Sequence, residues 1–395
     1  MKILRQIRAV TGINLGSIPQ RWGASLVVVA GIAGVVGVLV SVLALGQGFE
    51  RTLAATGRAD RAVITAKGAW NESNSSLPRD TAITGEDAPG IKKTVQGKPI
   101  LSMEVLTQIP ARAISDNMVK NVSLRGIGPL GMVLRPEIHL VQGRMFRPGL
   151  HELIVGVPLQ SQFKDMAVGD QLTFRDSPWT IVGSFATTGG SGHDSEIFGD
   201  ALTLMSTFHR ITYQSITVQL TSPAALKTLS KAIAANPSLS VEVHAEDKYF
   251  AQQSQGLVKL LTMVGYFIGG IMAVGAVFAA LNTMYAAVSA QSLQIATLRA
   301  IGFNAGAVLV AVFLEALLLA LAGAILGTAV AWLLFSGHTL NMISGSQGQL
   351  VFTLHVTPQL AVLGIVWALV IGFLGGLFPA IRAARLPVAT ALRAT

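Results

Sequence analysis

The stretch Leu260–Ile301, LLTMVGYFIGGIMAVGAVFAALNTMYAAVSAQSLQIATLRAI, decides the fold. Its first 39 residues contain no Asp, Glu, Lys or Arg, although roughly 20 apolar residues are enough to span a membrane. The first part, Leu260–Ala287, is apolar and rich in glycine, as expected of a membrane helix. In Ser289–Phe303, polar and apolar residues are interspersed, and Gly302 serves as a helix stop. The sequence therefore predicts a membrane helix that leads into a short amphipathic helix at the membrane surface.

Composition places the whole chain in the membrane class. Of its 395 residues, 51% are hydrophobic and 12% are charged, whereas a soluble protein averages about 25% charged residues. Nineteen of the 20 acidic residues and 20 of the 29 basic residues lie between Gln47 and Gly256, so this part is soluble and nearly neutral. The remaining charge is mostly basic and flanks apolar runs, so the net charge of +9 reflects membrane topology rather than nucleic-acid binding. The absence of cysteine excludes disulfides, thiolate metal sites and cysteine catalysis.

Apolar runs and polar stretches divide the chain into nine segments. They are predicted as an amphipathic cytoplasmic helix (1–20), a first span (21–46), an extracytoplasmic domain (47–256), a second span (257–287), a cytoplasmic helix (288–303), a third span (304–335), a short periplasmic loop (336–357), a fourth span (358–379) and a cytoplasmic tail (380–395). The first apolar run, Trp22–Gly46, has 25 residues, more than the roughly 7–15 of a signal peptide core. It is therefore interpreted as an uncleaved membrane helix.

The extracytoplasmic domain combines strands with a few helices. Helices are predicted at its two ends, Phe49–Thr56 and Asp247–Val258, where they could act as stalks that carry movement, and at Pro158–Phe163 and Pro223–Asn236. Alternating or β-branched patterns predict the strands Arg61–Thr65, Ile100–Gln108, Asn121–Arg125, Glu152–Val157, Gln171–Phe174, Trp179–Phe185, Ser215–Leu220 and Ser240–His244. The predicted fold class is membrane α-helical, with four transmembrane helices and a large α+β domain inserted between helices 1 and 2.

Basic residues near the spans predict the orientation of the chain. Lys and Arg occur before the first span, at Arg299 between the second and third spans, and in the tail, whereas the loop after the third span has none. Positive charge concentrates on the cytoplasmic side of membrane proteins. Both termini and Arg299 are therefore expected in the cytoplasm, with the large domain on the other side.

Two polar motifs suggest nucleotide binding or catalysis but are interpreted otherwise. Gly126–Gly131 matches G-x-G-x-x-G, yet it contains Pro129 where a Rossmann motif has to open a helix. Chance or a turn is the interpretation. His193–Glu196, HDSE, has metal-ligand and hydrolase residue types, but its place beside a glycine loop favours a structural or surface role. No Walker loop, H-E-x-x-H or G-x-S-x-G occurs, so no catalytic residue and no metal ligand is assigned.

Glu315 is the only ionisable residue in the middle of a predicted span. A charged residue there costs on the order of 3 kcal/mol on insertion scales, so a proton or substrate contact is one interpretation. No His, Lys or Arg accompanies it in the middle of another span. Packing or gating is therefore favoured over a proton relay.

Three G-x-x-x-G pairs occur within the spans. Small residues at this spacing allow two helices to pack closely in lipid. Together they predict a tight helix bundle and a dimer. The pairs are Gly265 with Gly269, Gly323 with Gly327, and Gly372 with Gly376.

The order of one span, a large outer domain and three further spans resembles the FtsX/MacB-type permeases of ABC transporters, the type VII or mechanotransmission class. Asn282–Met284 followed by Ser289–Phe303 is similar to the family segment N-x-M…R-x-x-E-I-G-x-L-R-A-x-G. Gly376–Ala394 is similar to the family ending G-x-x-P-A-x-R-A-A-x-x-x-P-x-x-A-L-R. The outer domain adds Gly143–Arg144, Glu152–Gly156 and Val168–Asp170.

The resemblance implies a dimer of permeases on two ATPase subunits, with Ser289–Phe303 as the coupling helix. ATP and Mg²⁺ would bind the ATPase, whereas this chain is expected to bind no cofactor and to be no enzyme. Gln291 and Gln294 stand where the family commonly has charged residues, so the contact is expected to rely on apolar side chains. The residues assigned to the contact are Gln291, Leu293, Gln294, Ile295, Leu298, Arg299, Ile301 and Gly302.

Three functions are compatible with this family. Export or efflux together with a periplasmic adaptor is preferred. The alternatives are lipoprotein or lipid extraction, as in the LolC/LolE branch, and transmembrane signalling to a cell-wall hydrolase without transport, as in the FtsX branch; the large outer domain argues against signalling. The expected partners are an ATPase in two copies, a second permease copy, an adaptor and the lipids of a bacterial inner membrane, and nucleic acid is not among them.

Overall fold

The computed structural model describes residues 2–17, 22–84, 88–236, 239–344 and 348–386. The remaining residues lie outside the described part. They include both ends of the cytoplasmic helix predicted at residues 1–20 and most of the tail predicted at residues 380–395. The helices are α1 (Lys2–Ser17), α2 (Trp22–Ala54), α3 (Arg79–Thr84), α4 (Gly131–Leu134), α5 (Val157–Gln160), α6 (Ala201–Thr207), α7 (Ala225–Ala234), α8 (Glu246–Ala290), α9 (Ser292–Ala300), α10 (Ala305–Phe335) and α11 (Pro358–Arg385).

The strands alternate with these helices along the chain. They are β1 (Arg61–Ala66), β2 (Leu77–Pro78), β3 (Leu101–Arg112), β4 (Val119–Ile127), β5 (Ile138–Gly143), β6 (Glu152–Gly156), β7 (Gln171–Phe174), β8 (Ser177–Thr187), β9 (Glu196–Asp200), β10 (Thr212–Tyr213), β11 (Ser215–Gln219), β12 (Val241–Ala245), β13 (Thr339–Ser344) and β14 (Gly348–Thr353). Two short 3₁₀ helices are Glu72–Asn74 and Gly192–Ser195.

The chain divides into two compact units. The membrane unit comprises Met1–Gln47, Lys259–His338 and Leu354–Thr395, and the soluble unit comprises Gly48–Val258 and Thr339–Thr353. Within the described residues, four helices are long and apolar enough to cross a membrane, namely α2, α8, α10 and α11. Four membrane helices with an α+β domain between the first and the second confirm the predicted fold class.

The membrane unit has a core of small and branched residues. Leu39 of α2, Ala280 of α8, Ala320 of α10 and Ala368 of α11 belong to one buried cluster. Because lipid removes the hydrophobic drive for helix association, close packing of small residues has to hold such a bundle together.

The six glycines of the G-x-x-x-G pairs all lie where two helices of the same chain touch. A β-carbon at any of them would come within 2.4–3.1 Å of an atom on a neighbouring helix. Gly265, Gly269, Gly323 and Gly327 face α2, whereas Gly372 and Gly376 face α10. Their close packing is therefore used inside one chain, and the predicted dimer stays a prediction.

The soluble unit is built on a large mixed sheet. Its described residues form a twelve-stranded sheet with the order β12-β1-β11-β3-β4-β9-β6-β8-β5, to which β7, β13 and β14 add at the sides. Several apolar clusters stabilise it, and two of them are large. One contains Ile64, Val105 and Leu229, and the other contains Phe163 and Trp179.

All eight predicted strands are present, but the predicted loop 336–357 is more than a loop. It contains the hairpin β13–β14, which is assigned to the soluble unit. The backbone N–H of Val351 in β14 donates to Ser195 Oγ at 2.8 Å. The alternation of polar and apolar residues is weak in this stretch, so the sequence alone did not predict a hairpin.

Candidate functional site

The segment predicted to couple to an ATPase is a separate short helix. α9 begins after Gln291 and ends at Ala300, and the chain then turns at Gly302, whose φ of +100° is a conformation that favours glycine. The backbone N–H of Gly302 donates to the carbonyl of Arg299 and closes this turn. The structural helix is shorter than the predicted segment 288–303, because α8 continues to Ala290.

Burial separates the predicted contact residues into two groups. Gln291 and Ile295 are only 6% and 4% exposed, and Ile295 packs into the core of the membrane unit. In contrast, Leu293 is 44% and Ile301 is 70% exposed. A partner cannot reach Ile295 without opening the bundle, so the assignment of Gln291 and Ile295 to the contact is corrected. The accessible surface, here called the α9 face, consists of Leu293, Gln294, Thr297 and Ile301.

Arg299 and Leu298 are half-buried, and Arg299 is used inside the chain. Its Nη1 donates to the carbonyl of Ala384 at 3.1 Å and to that of Leu386 at 2.6 Å. Carbonyls at the C-terminal end of a helix lack partners within that helix, and a guanidinium satisfies them well. Arg299 therefore joins α9 to the end of α11, a role that the sequence had assigned to a contact with another subunit.

The N-terminal helix also meets this region. Gln6 Nε2 of α1 donates to the carbonyl of Gly302 at 3.5 Å, and Gln6 Oε1 accepts from the backbone N–H of Asn304 at 3.4 Å. α9 is thus fixed to α1 on one side and to α11 on another. A displacement of α9 has to be shared with these helices.

In the soluble unit, the His193–Glu196 motif lies in the interior. All four of its residues are buried, so the surface interpretation of the motif is wrong. Ser191 and Asp194 form a capping box around this 3₁₀ turn, which fixes its backbone. Glu196 then points into a group of buried charges.

Arg125 is the centre of that group. Its five N–H groups all donate to carboxylates, at 2.8–2.9 Å, and its partners are Glu72, Glu104 and Glu196. The guanidinium and the three carboxylates are almost completely buried. A planar guanidinium suits this paired geometry better than an ammonium would.

Arg135 and His193 complete what is here called the buried charge cluster, which consists of Arg125, Arg135, Glu72, Glu104, Glu196 and His193. Arg135 Nη2 donates to Glu104 Oε2 at 2.9 Å, and Arg135 Nε donates to His193 Nε2 at 3.4 Å. His193 Nδ1 lies 2.8 Å from Glu196 Oε2. Because His193 Nε2 accepts a hydrogen bond, its proton is assigned to Nδ1, where it can be donated to Glu196.

Electrostatics keeps Glu104 and Glu196 ionised despite their burial. Burial opposes a charged Glu104, but Arg135 and Arg125 outweigh it and lower the pKa of Glu104 to about 2. Burial likewise opposes a charged Glu196, but Arg125 and His193 lower its pKa below the usual range. The pKa of Arg125 is raised well above its ordinary value because its carboxylate partners outweigh burial. Such a cluster fixes the elements around it.

A second buried guanidinium, Arg61, joins distant parts of the soluble unit. Arg61 Nε donates to Glu246, and Nη1 donates to Glu137 Oε1 at 2.7 Å and to the carbonyl of Leu134 at 2.6 Å. Nη2 donates to the carbonyl of Thr56 at 3.3 Å. These five residues are called the Arg61 node. Thr56 follows the end of α2, and Glu246 is the first residue of α8.

The backbone itself is close-packed at the Arg61 node. A β-carbon on Gly57 would lie 2.4 Å from the carbonyl oxygen of Glu246. The backbone N–H of Arg58 donates to Glu246 Oε2 at 3.0 Å, and that of Gly192 donates to Thr56 Oγ1 at 2.7 Å. The end of α2 and the start of α8 are therefore fixed to each other and to the sheet.

The two remaining predicted features occupy structural positions. Glu315 is buried on α10 beside Val312 and Ala316. Gly126–Gly131 carries the chain from the end of β4 through a turn into the one-turn helix α4. Gly126 packs directly under α6, since a β-carbon there would lie 2.8 Å from Ala201 Cα. The motif is a turn with a close contact, as the sequence suggested.

Two family models match the chain. The MacB-like periplasmic core domain matches residues 25–236, and the FtsX-like permease C-terminal domain matches residues 266–388. The chain belongs to the FtsX/MacB-type ABC transporter permeases. The family resemblance inferred from the sequence is confirmed. A permease of an ABC transporter implies an ATPase partner.

Individual relatives are distant in sequence. The chain is 23% identical over 412 residues to a Bacillus subtilis (strain 168) protein described as an uncharacterized ABC transporter permease, YknZ, and the match covers all of both chains. It is also similar to the extracellular domain of the noncanonic ABC-type transporter YknZ from Gram-positive bacteria, with 14% identity and a TM-score of 0.34. That match covers 47% of this chain and 99% of that domain. The periplasmic region of MacB from Actinobacillus actinomycetemcomitans gives 14% identity, 50% and 93% coverage, and a TM-score of 0.37.

Proposed function

We propose that this chain is the non-catalytic permease subunit that transmits the ATP-driven movement of a separate ATPase to its extracytoplasmic α+β domain, and that this movement drives export together with a periplasmic adaptor. The observation that carries the proposal is the Arg61 node. The two helices that border the soluble unit in sequence, α2 and α8, have their ends joined at one buried guanidinium. A joint of this kind suits a machine that passes movement through helices rather than substrate through a pore.

The ATPase contact is assigned to the α9 face. Its apolar side chains are exposed at the surface of a helix that Arg299 and Gln6 tie to its neighbours. The positive-inside rule puts this segment and both termini in the cytoplasm of a bacterial cell. Two permease copies on two ATPase subunits complete the proposed assembly, and ATP with Mg²⁺ binds the ATPase.

A pull-down tests the α9 assignment. Ile301→Asp should abolish recovery of the ATPase with the permease, because a charge replaces a mostly exposed apolar side chain at the centre of the contact. Ile13→Asp is the matched control, since Ile13 is 48% exposed on α1, and it should leave recovery unchanged. Unchanged recovery with Ile301→Asp would refute the assignment, and so would equal loss in both variants.

The Arg61 node is tested by a distance measurement. The chain contains no cysteine, so Ser230→Cys on the exposed side of α7 gives one spin label per permease copy. ATP with vanadate should change the distance between the labels of two copies in the wild type. In Arg61→Gln the change should be lost while the ATPase still binds. Arg58→Gln, which removes an exposed pairing with Asp60, should behave as the wild type.

Co-purification of the native complex separates the three functions. Recovery of an adaptor with the permease and the ATPase supports export. Recovery of a lipoprotein without an adaptor would replace export by extraction, and recovery of a cell-wall hydrolase would replace it by signalling.

A further inference from the structure

A wide cleft opens in the soluble unit, away from the buried charge cluster and the Arg61 node. Its volume is about 1050 Å³, at the upper end of the roughly 300–1,000 Å³ that is usual for small-molecule sites. The start of β3, the turn after β4, the loop before β6 and the first turns of α6 line it. None of these lining residues belongs to the elements assigned above to the movement.

The floor and one wall of the cleft are apolar. Leu101 and Met103 of β3 and the buried Tyr213 form the floor. Leu202 on α6 also lines the cleft and is 54% exposed. Methionine adapts its shape to different ligands because its chain is unbranched and flexible. The cleft is therefore suited to an apolar body of variable shape.

One cationic side chain, Arg79, and the hydrogen-bonded carboxylate of Asp200 line the cleft. Asp200 is nearly buried, and its carboxylate accepts from the backbone N–H of Thr203 at 3.0 Å, from Thr203 Oγ1 at 2.5 Å and from the backbone N–H of Gly149 at 3.4 Å. The carboxylate of Asp200 therefore serves as the N-cap of α6. The guanidinium of Arg79 at the rim is exposed, and His151 is held by stacking on Trp179, with the ring centres 4.5 Å apart. An anionic group beside Arg79 completes the arrangement.

We propose that this cleft binds an amphipathic organic anion of several hundred daltons, with its apolar body against Met103 and Leu202 and its anionic group at Arg79. The inference rests on the proposed function, in that it names the class of molecule that the extracytoplasmic domain receives. The test below uses the permease alone, so its outcome does not depend on whether the ATPase binds the α9 face.

Photolabelling with 4-benzoylbenzoate, an aromatic carboxylate whose excited ketone inserts into nearby C–H bonds, maps the site directly. The full-length permease in detergent is irradiated with the probe, and labelled peptides are identified by mass spectrometry. The expected labelled residues are Met103 and Leu202. Arg79→Gln should reduce labelling by about tenfold because a charge-assisted hydrogen bond is lost.

Ser206→Trp supplies a steric test of the same cleft. Ser206 is exposed on α6 and lines the cleft, so an indole there should block labelling. Ser230→Trp on α7 and Arg112→Gln at the end of β3 are matched exposed changes outside the cleft, and they should label as the wild type does. Labelling confined to the membrane helices, undiminished labelling in Ser206→Trp, or equal labelling by uncharged 4-methylbenzophenone would overturn the proposal.

Discussion

The buried charge cluster and the α9 face use side chains in opposite ways. In the cluster, charged groups from residues as far apart as Glu72 and Glu196 are buried and paired with one another. On the α9 face, in contrast, apolar side chains are exposed and nearby in sequence. The first arrangement can be satisfied by one fold only, whereas the second leaves a surface that a partner can cover and release. The comparison separates the residues that hold the soluble unit together from the surface at which we propose that the ATPase binds.

Charge burial makes the cluster costly to disturb. Taking an ion out of water costs several kcal/mol, and that cost is recovered only when every partner is in place. A hydrophobic contact such as the α9 face has no such all-or-none character. Variants in the two regions should therefore differ in kind, with loss of structure in one and loss of association in the other.

The largest effect is expected from Arg125→Gln. The change leaves the carboxylates of Glu72, Glu104 and Glu196 buried without their shared cation, which should lower the free energy of unfolding of the soluble unit by roughly 3–5 kcal/mol. Thermal melting and limited proteolysis of the full-length protein measure it. Arg112→Gln, an exposed arginine on the same sheet, should leave both readouts unchanged. A melting curve of Arg125→Gln that overlays that of the wild type would show that the buried charge cluster does not stabilise the soluble unit.

The second largest effect is expected from acid, which acts on the carboxyl groups of the buried charge cluster. The pKa values of Glu104 and Glu196 are lower in the folded unit than in the unfolded chain. The unfolded chain therefore binds more protons as the pH falls below the ordinary value of 4.5 towards about 2, and stability decreases across that window. Tm measured from pH 6 downwards should decline in this range.

Two carboxyl variants locate the source of that acid sensitivity. Glu104→Gln should lower Tm at neutral pH yet make its decline with acid shallower, because one titrating group has been removed. Asp116→Asn, which removes an exposed carboxyl paired with Lys120, should leave the slope unchanged because solvent screens that pair. Equal slopes for Glu104→Gln and the wild type would show that the cluster does not titrate in this window.

The fold was more predictable from the sequence than the site. The strand around Trp179–Phe185 alternates apolar and small residues, and that local pattern was enough to predict it. β9 was missed because Glu196 and Asp200 bound a five-residue strand beside glycines, and its parallel pairing with β4 depends on a distant segment. The β13–β14 hairpin was missed because the alternation of polar and apolar residues is weak in its polar stretch.

At the site, the sequence predicted the position of α9 but not which of its sides is accessible. Ile295 and Ile301 are both apolar residues of the predicted segment, yet tertiary packing buries the first and leaves the second exposed. Arg61 and Glu246 are 185 residues apart, and no local pattern relates them. Long-range pairs of this kind become visible only when the chain is folded.

A smaller effect should distinguish the buried Ile295 from the exposed Leu293 of α9. Ile295→Ala opens a cavity in the core of the membrane unit and should destabilise it by about 2 kcal/mol, whereas Leu293→Ala on the exposed side should change stability by less than about 0.5 kcal/mol. Thermal melting in detergent compares them. Recovery of the ATPase should show the reverse order, with the greater loss in Leu293→Ala. If Leu293→Ala proves the less stable variant, the division of α9 into a buried and an accessible side is wrong.

The smallest effect is expected at Glu315, the residue whose position in a span first suggested a proton or substrate contact. Gln keeps the size of the side chain and its hydrogen-bonding oxygen while removing the carboxyl proton and charge. If Glu315 serves packing or gating in α10, Glu315→Gln should leave ATPase stimulation largely intact and shift stability by less than about 1 kcal/mol. Glu315→Ala should be worse than Glu315→Gln, because it removes the volume that fills this buried position. Complete loss of ATPase stimulation in Glu315→Gln, with normal recovery of the ATPase, would instead assign a proton or substrate contact to this carboxyl group. A functional charge would then lie inside the membrane unit, whereas the buried charge cluster lies in the soluble unit and the α9 face carries no charge.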